Sequence, residues 1–241
     1  MTTKDMAIKL MKFYLTSFSV FLVIIIFFGF FSFESYPRDA VLLPKPTLKG
    51  KKSVEEAIVL RRTTRCFEAK HLTLLQISQI LWAAQGITSE GEGFRTTPSA
   101  GALYPLDIFI VVGAKGVEGL RAAVYQYIPE IHSLKLVTNG DVRFQVARAA
   151  LLQMWIAQAP ISIVITGEYA RCTKKYGERG NIYTHIEAGH TGQNIFLQAE
   201  GIGLGAGIVG AFYNKEIAKV LGIPYPTYDP LLIMPVGFKK E

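Results

Sequence analysis

Arg95-Thr-Thr-Pro-Ser-Ala-Gly-Ala-Leu-Tyr-Pro-Leu106, taken with Arg61-Arg-Thr-Thr-Arg65 upstream, decides how the rest of the chain is read. Pro98 to Gly101 is a small-residue turn that leads into the apolar run Ile108 to Val112. Ser99, Ala100 and Gly101 carry almost no side chain, so their backbone can lie flat against a bulky planar ligand and offer it N–H groups. The upstream segment sets three guanidinium groups beside two hydroxyls. That donor set suits a phosphate, since Arg gives bidentate contacts and Thr a neutral donor. Taken singly, the arginines also fit a solvated helix face, and Pro-Ser-Ala-Gly an ordinary turn. Together, a cationic clamp and a small-residue platform point to a mononucleotide cofactor.

Spacing around these motifs predicts an α+β fold. Ser53-Val-Glu-Glu is a capping-box pattern that starts a helix through Ala57, Ile58 and Leu60, with the arginines near its end. Leu72 to Gln85 carries a helical stripe of Leu74, Ile77, Ile80, Leu81 and Ala84, ended by Gly86. Asp107 to Val112 and Ile161 to Thr166 are short, β-branched runs that read as buried strands. Val142 to Ala157 is expected as a helix stopped before Pro160, and Glu187 to Leu204 as a second long helix. Leu231 to Val236 is expected as the last strand. Helices and strands alternate only loosely, which favours α+β over a doubly wound sheet. The run Gly205 to Gly210 matches the dinucleotide glycine pattern, with Asp229 as the later acid. A helical stretch precedes it where a strand is required, so Gly203-Leu-Gly205 instead ends that helix.

The formal charge of +7 is spread along the chain, with no aromatic-interleaved basic stripe to engage nucleic acid. Cys66 and Cys172 match neither a disulfide framework nor a zinc pattern. Two unpaired thiols are expected, with a single disulfide as the alternative. His71, His132, His185 and His190 show no metal-ligand spacing, so no metal is expected. Phe13 to Phe33 has no formal charge and spans roughly 31 Å as a helix, close to the thickness of a bilayer core. Lys4, Lys9 and Lys12 precede it and Glu34 and Asp39 follow. These flanks predict an uncleaved single-pass anchor with its N-terminus inside and the catalytic domain on the outer face, a cleaved signal peptide being the alternative. The expected organisation is an anchor over residues 1–34, a Pro- and Lys-rich linker over 35–52 and one domain over 53–241.

From Val54 to Phe238 the chain resembles the nitroreductase superfamily of FMN oxidoreductases, most nearly its SagB-type branch of azoline dehydrogenases. The resemblance rests on ordered blocks: Arg61 to Arg65, Leu81 to Gly86, Arg95 to Pro105, Lys175-Tyr176-Gly177, Glu187-Ala-Gly-His190 with Gln193-Asn194, Gly203 to Gly205, and Pro235-Val-Gly237. It implies a mostly antiparallel central sheet flanked by helices, bound FMN and a homodimer with cofactor sites at its interface. The helices Leu72 to Gln85 and Glu187 to Leu204 are expected to supply that interface.

Carried over residue by residue, Arg61, Arg62 and Thr63 hold phosphate and ribityl oxygens, and Arg65 approaches the pyrimidine edge. Pro98, Ser99, Ala100 and Gly101 lie beside the ring from the partner subunit. Glu187 and Ala188 lie near N5, and Gly203, Leu204 and Gly205 offer N–H groups to the phosphate. Lys175 and Tyr176 are implied as acid/base residues near the substrate; without the resemblance they read as a solvated loop. The implied activity is hydride transfer through flavin N5 with a small-molecule substrate, NAD(P)H being one candidate donor. The alternatives are an azoline dehydrogenase acting on modified peptides and a non-catalytic flavin-binding membrane protein.

Overall fold

The computed structural model describes residues 40–89 and 91–240. These residues form one compact unit. A seven-stranded antiparallel sheet runs in the order β1-β4-β3-β2-β5-β7-β6. Its strands are β1 (Ala40–Leu42), β2 (Leu106–Val112), β3 (Ala123–Ile128), β4 (Ser133–Asn139), β5 (Ile161–Gly167), β6 (Gly205–Ala206) and β7 (Asp229–Gly237). Helices α1 (Val54–Leu60), α2 (Leu74–Gln85), α3 (Arg143–Ala149), α4 (Tyr169–Tyr176), α5 (Arg179–Gly201) and α6 (Asn214–Leu221) cover its two faces.

Period-2 alternation builds those faces. From β2 and β5, Ile108, Ile110, Val112, Ile161, Ile163 and Ile165 join Ile77, Ile80 and Leu81 of α2 and Ile195 and Ala199 of α5 in one core. The alternate residues Phe109, Val111 and Val164 join Val146 of α3 and Ile217, Ala218 and Leu221 of α6 in the other. Both faces are dry, which explains why these strands read as unbroken apolar runs. Burying each Ile contributes about 1.5–3 kcal/mol.

Local signals place the helices. Ser53 and Glu56 form the expected capping box on α1, and Thr73 with Gln76 forms a second on α2. Gly203 takes a φ of +78° after the C-terminus of α5, as a glycine at C′ should. Residues Gly205 to Gly210 lead no helix; Gly205 and Ala206 form β6, and Val209 pairs with Ile233.

Three expectations are corrected. The helix expected over 142–157 breaks after Ala149, because Leu151 and Leu152 both adopt left-handed φ and a 3₁₀ turn, Met154–Gln158, follows. The long helix begins at Arg179 rather than Glu187 and ends at Gly201. Lys175 and Tyr176 close α4 instead of lying in a loop, with Gly177 at a φ of +58° turning the chain into α5.

Single-pass membrane localisation with an outer-face catalytic domain is also not upheld. No helix among the described residues is long and apolar enough to cross a membrane. The longest, α5, carries Arg179, His185, Glu187, His190 and Glu200. The Phe13 to Phe33 run lies outside the described residues, as does most of the expected division at residues 34 and 35. Cys66 and Cys172 are both free thiols.

Ile163 lies in the centre of β5 with no exposed surface. Ile163→Ala should therefore lower the unfolding free energy by about 2–5 kcal/mol. Phe144→Ala, at a side chain 55% exposed, should cost under about 0.5 kcal/mol in the same urea titration.

Candidate active site

The sequence-predicted site residues gather in two groups anchored on α5. The first forms around the arginines. Thr63 pairs with Ala206, and the Thr64 N–H donates to the Ala206 carbonyl at 2.8 Å. A Cβ at Gly205 would collide with the Thr64 side chain, and one at Gly207 would stand 2.6 Å from the Trp155 ring. Those two positions are therefore restricted to glycine by close approach. The Arg61 guanidinium lies 5.1 Å from the centroid of Phe196 on α5, and Arg65 5.8 Å from Trp155. The segment after the arginines is fastened by the chain's last described stretch. Phe67 pairs with Lys239, and the Lys240 N–H donates to the Cys66 carbonyl at 3.2 Å.

Glu200 on α5 binds both Lys52 and Lys239, which holds its carboxyl below the usual range. Among the described residues no carboxylate pairs with Arg61, Arg62 or Arg65. Arg62 instead donates to the Val59 and Arg61 carbonyls at 2.8 Å. The expected N–H donors at Gly203 and Leu204 are already committed. They close the end of α5 onto Glu200 and Ala199, and the Leu204 side chain is buried in the core.

The second group forms around the Pro98 to Gly101 turn. Gly101 has a φ of +62°, and Ala102 and Tyr104 share its left-handed backbone at +53° and +45°. Such φ values are uncommon away from glycine and concentrate at functional sites. The Ser99 hydroxyl accepts from the Tyr104 N–H at 2.9 Å, and Arg171 donates to the Tyr104 carbonyl at 3.0 Å. A Cβ at Gly101 would stand 2.5 Å from the Tyr176 hydroxyl and 2.9 Å from Lys175 Nζ. The Lys-Tyr pair therefore rests directly on this turn within one protomer. Tyr176 packs edge-on against Tyr183 at 5.1 Å, and Arg179 lies 5.7 Å from the Tyr183 ring. Arg179, Tyr183 and Glu187 recur at four-residue spacing, so they share one face of α5. The sequence reading missed Tyr183, although that spacing back from Glu187 was the available signal.

Glu187 is 2% exposed, and Ala188 beside it is equally buried. Gln85 donates to Glu187 Oε1 at 3.3 Å, while Oε2 is enclosed without a hydrogen-bond partner. Burial pushes the carboxyl up to about 7, against the opposing pull of Ser99, Gln85, Arg95 and Arg171. Thr97, Thr191 and Asn194 complete the buried network around Gln85. Gln85, Thr97 and Asn194 fall inside conspicuous sequence blocks, but nothing in their spacing discloses that they meet.

The comparisons agree with this architecture. Residues 58–238 match the nitroreductase family. The chain is an oxidoreductase of that family. A nitroreductase homologue of Methanocaldococcus jannaschii is 47% identical over 188 residues, covering 78% of this chain and 92% of the relative. The microcin B17-processing protein McbC of Escherichia coli is 25% identical over 170 residues, covering 69% of this chain and 62% of that protein. Among solved structures, a nitroreductase of Ralstonia eutropha JMP134 superposes with a TM-score of 0.73 at 25% identity. That match covers 84% of this chain and 90% of the other.

Glu187 also sets a stability prediction. Its carboxyl titrates near 7 in the folded protein against 4.5 ordinarily, so the folded state holds the extra proton between those values. Stability therefore falls as pH rises through this window and levels off above it, by on the order of 3 kcal/mol. Glu187→Gln should abolish that contribution. In thermal melts across the window, wild type should lose stability relative to the variant as pH rises.

Proposed function

We propose that this oxidoreductase is FMN-dependent, works on small molecules and is assembled as a homodimer. The observation that carries the reading is the pairing of three guanidinium groups, without carboxylate partners among the described residues, with a strained small-residue turn beside a buried carboxyl. The residues fit the cofactor. Arg61, Arg62 and Thr63 would hold phosphate and ribityl oxygens, and Arg65 the pyrimidine edge. Gly205 and Gly207 permit close backbone approach there. Pro98, Ser99, Ala100 and Gly101 give the ring a flat neighbour, with Glu187 and Ala188 toward N5. The chemistry that bound FMN supplies is hydride exchange at N5.

Lys175 and Tyr176 would hold and move protons at Nζ and the phenolic oxygen, beside the turn on which they rest. A second reading has support in that pair. Its contact with Gly101 and the similarity to the microcin B17-processing protein favour an azoline dehydrogenase acting on modified peptides. There, removal of a ring proton would accompany loss of hydride, and the Lys-Tyr pair is the base available.

The homodimer is supported by surface, though not chiefly by α2, one of the two helices expected to supply it. Most of α2 is spent in the chain's own core. By contrast, α1 buries only Ala57 and leaves Val54, Ile58, Val59 and Leu60 largely exposed. A two-turn helix with its apolar side uncovered gains little stability alone, and such patches mark contact sites.

Purified protein should carry yellow flavin that bleaches with NAD(P)H. Arg61→Ala with Arg65→Ala should release it, since each charge-assisted contact contributes roughly 1.5–3 kcal/mol. Full flavin occupancy in that double variant would rule out this phosphate placement. Lys175→Ala and Tyr176→Phe should retain flavin yet slow turnover of the physiological substrate by about 10²–10⁴-fold. Wild-type turnover in both would return the pair to a surface role. Light scattering should give the mass of a dimer.

A further inference from the structure

The hydrogen bonds around Gln85 fix where a proton can sit on Glu187, starting from two ends that admit no choice. At one end the Thr97 hydroxyl donates to the Ala84 carbonyl at 2.7 Å, so its oxygen can only accept further bonds. It accepts from the Asn194 amide at 3.2 Å and from the Thr191 hydroxyl at 3.3 Å. Thr191 has thereby used its one proton and must accept from Gln85 Nε2, 3.3 Å away. At the other end Arg95, which can only donate, approaches Gln85 Oε1 at 3.4 Å. Both ends therefore orient the Gln85 amide the same way. Its second N–H is left to donate to Glu187 Oε1 at 3.3 Å. In a neutral carboxyl the carbonyl oxygen is the stronger acceptor of such a bond. We infer that neutral Glu187 carries its proton on Oε2, and that Arg95, acting through the Gln85 amide, is the positioning residue that keeps it there.

Arg95 is well placed for this role. It is held by Glu130 at 2.9 Å and stacks 4.6 Å from the Tyr104 ring, inside the strained turn. Oε2 is the enclosed atom that lacks a partner, and Ser99 is the carboxyl's other polar neighbour. The proton thus lies behind the turn on which Lys175 and Tyr176 rest. The charged and titratable groups facing Glu187 are Arg95 before the turn, and Arg171 and Cys172 on α4. In the ionised carboxylate the Gln85 bond at Oε1 becomes charge-assisted and strengthens.

The test is made on the full-length protein as purified, labelled with carbon-enriched glutamate, by following the Glu187 Cδ resonance against pH. Glu187→Gln identifies the signal. Wild type should titrate near neutrality. Arg95→Gln removes the charge and the obligate donor, and should raise the midpoint by about one pH unit. Arg95→Lys retains both and should return it toward wild type. A midpoint unmoved in Arg95→Gln, with only a lower melting temperature, would make Arg95 a structural residue and overturn the inference. A lowered midpoint, or wild-type titration in the ordinary carboxylate range, would overturn it too. Flavin content read from the same sample tests the proposed function separately, because the midpoint comparison does not depend on turnover.

Discussion

The pairing of β2 with β5 is the constraint from which the rest of the molecule is built. Seven consecutive residue pairs, from Leu106 opposite Gly167 to Val112 opposite Ile161, lie at the centre of the sheet. Their side chains alternate between two dry faces, so each face must be roofed by helices. A register slip of one residue would exchange the two sets of side chains and strand both roofs. With the register fixed, α2 and α5 pack on one face, and Gln85 meets Glu187 because each extends from a helix seated on that face. Arg171 ties the sheet to the site directly, binding Asp107 of β2 at 2.8 Å and the Tyr104 carbonyl at 3.0 Å.

What could be read in advance was what local chemistry decides. Ser53 and Glu56 announce a helix start because their side chains satisfy backbone N–H groups within four residues. The isoleucines of β5 announce a buried strand because β-branched residues suit a pleated surface. The break at Leu151 and Leu152 was not legible, since neither residue favours left-handed backbone. Gln153 holds it, donating locally to the Ala150 carbonyl at 3.0 Å and across the fold to the Ala211 carbonyl at 3.1 Å. The hairpin of β3 and β4 was missed for a similar reason. Its turn uses Pro129 to Ile131 and a left-handed His132 instead of a glycine pair, and His132 is held by Tyr127 and Ser78 at 2.8 and 2.7 Å.

The site residues divide in the same way. Arg61, Gly101, Lys175 and Glu187 stood out by type and order. The polar network behind Glu187 did not, since Gln85 reads as the last polar residue of an apolar helix. Its partners Thr191 and Arg95 lie 106 and 10 residues away along the chain. Distance in sequence hides a hydrogen bond that burial makes unavoidable, because an unpaired amide there would cost about 1–3 kcal/mol. Burial also sets apart the two carboxylates of α5. Glu200 meets two lysines, which hold its carboxyl low, whereas Glu187 meets mainly neutral donors and burial pushes its carboxyl up to about 7.

The fastening of the arginine segment by Phe238, Lys239 and Lys240 bears on the order in which the molecule matures. Glu68 N–H donates to the Phe238 carbonyl at 3.0 Å, and Lys70 lies 4.0 Å from the Phe238 ring. The contacts spanning this clasp bridge about 170 residues of sequence, among the most remote pairings in the chain. The end of α5 is tied to the same clasp, since Glu200 binds Lys239. As the ribosome releases the chain from its first residue onward, the arginines and Glu200 wait for the same last partners. The arginine segment and the end of α5 are thereby fixed together in one late step, once residues up to Lys240 have been made.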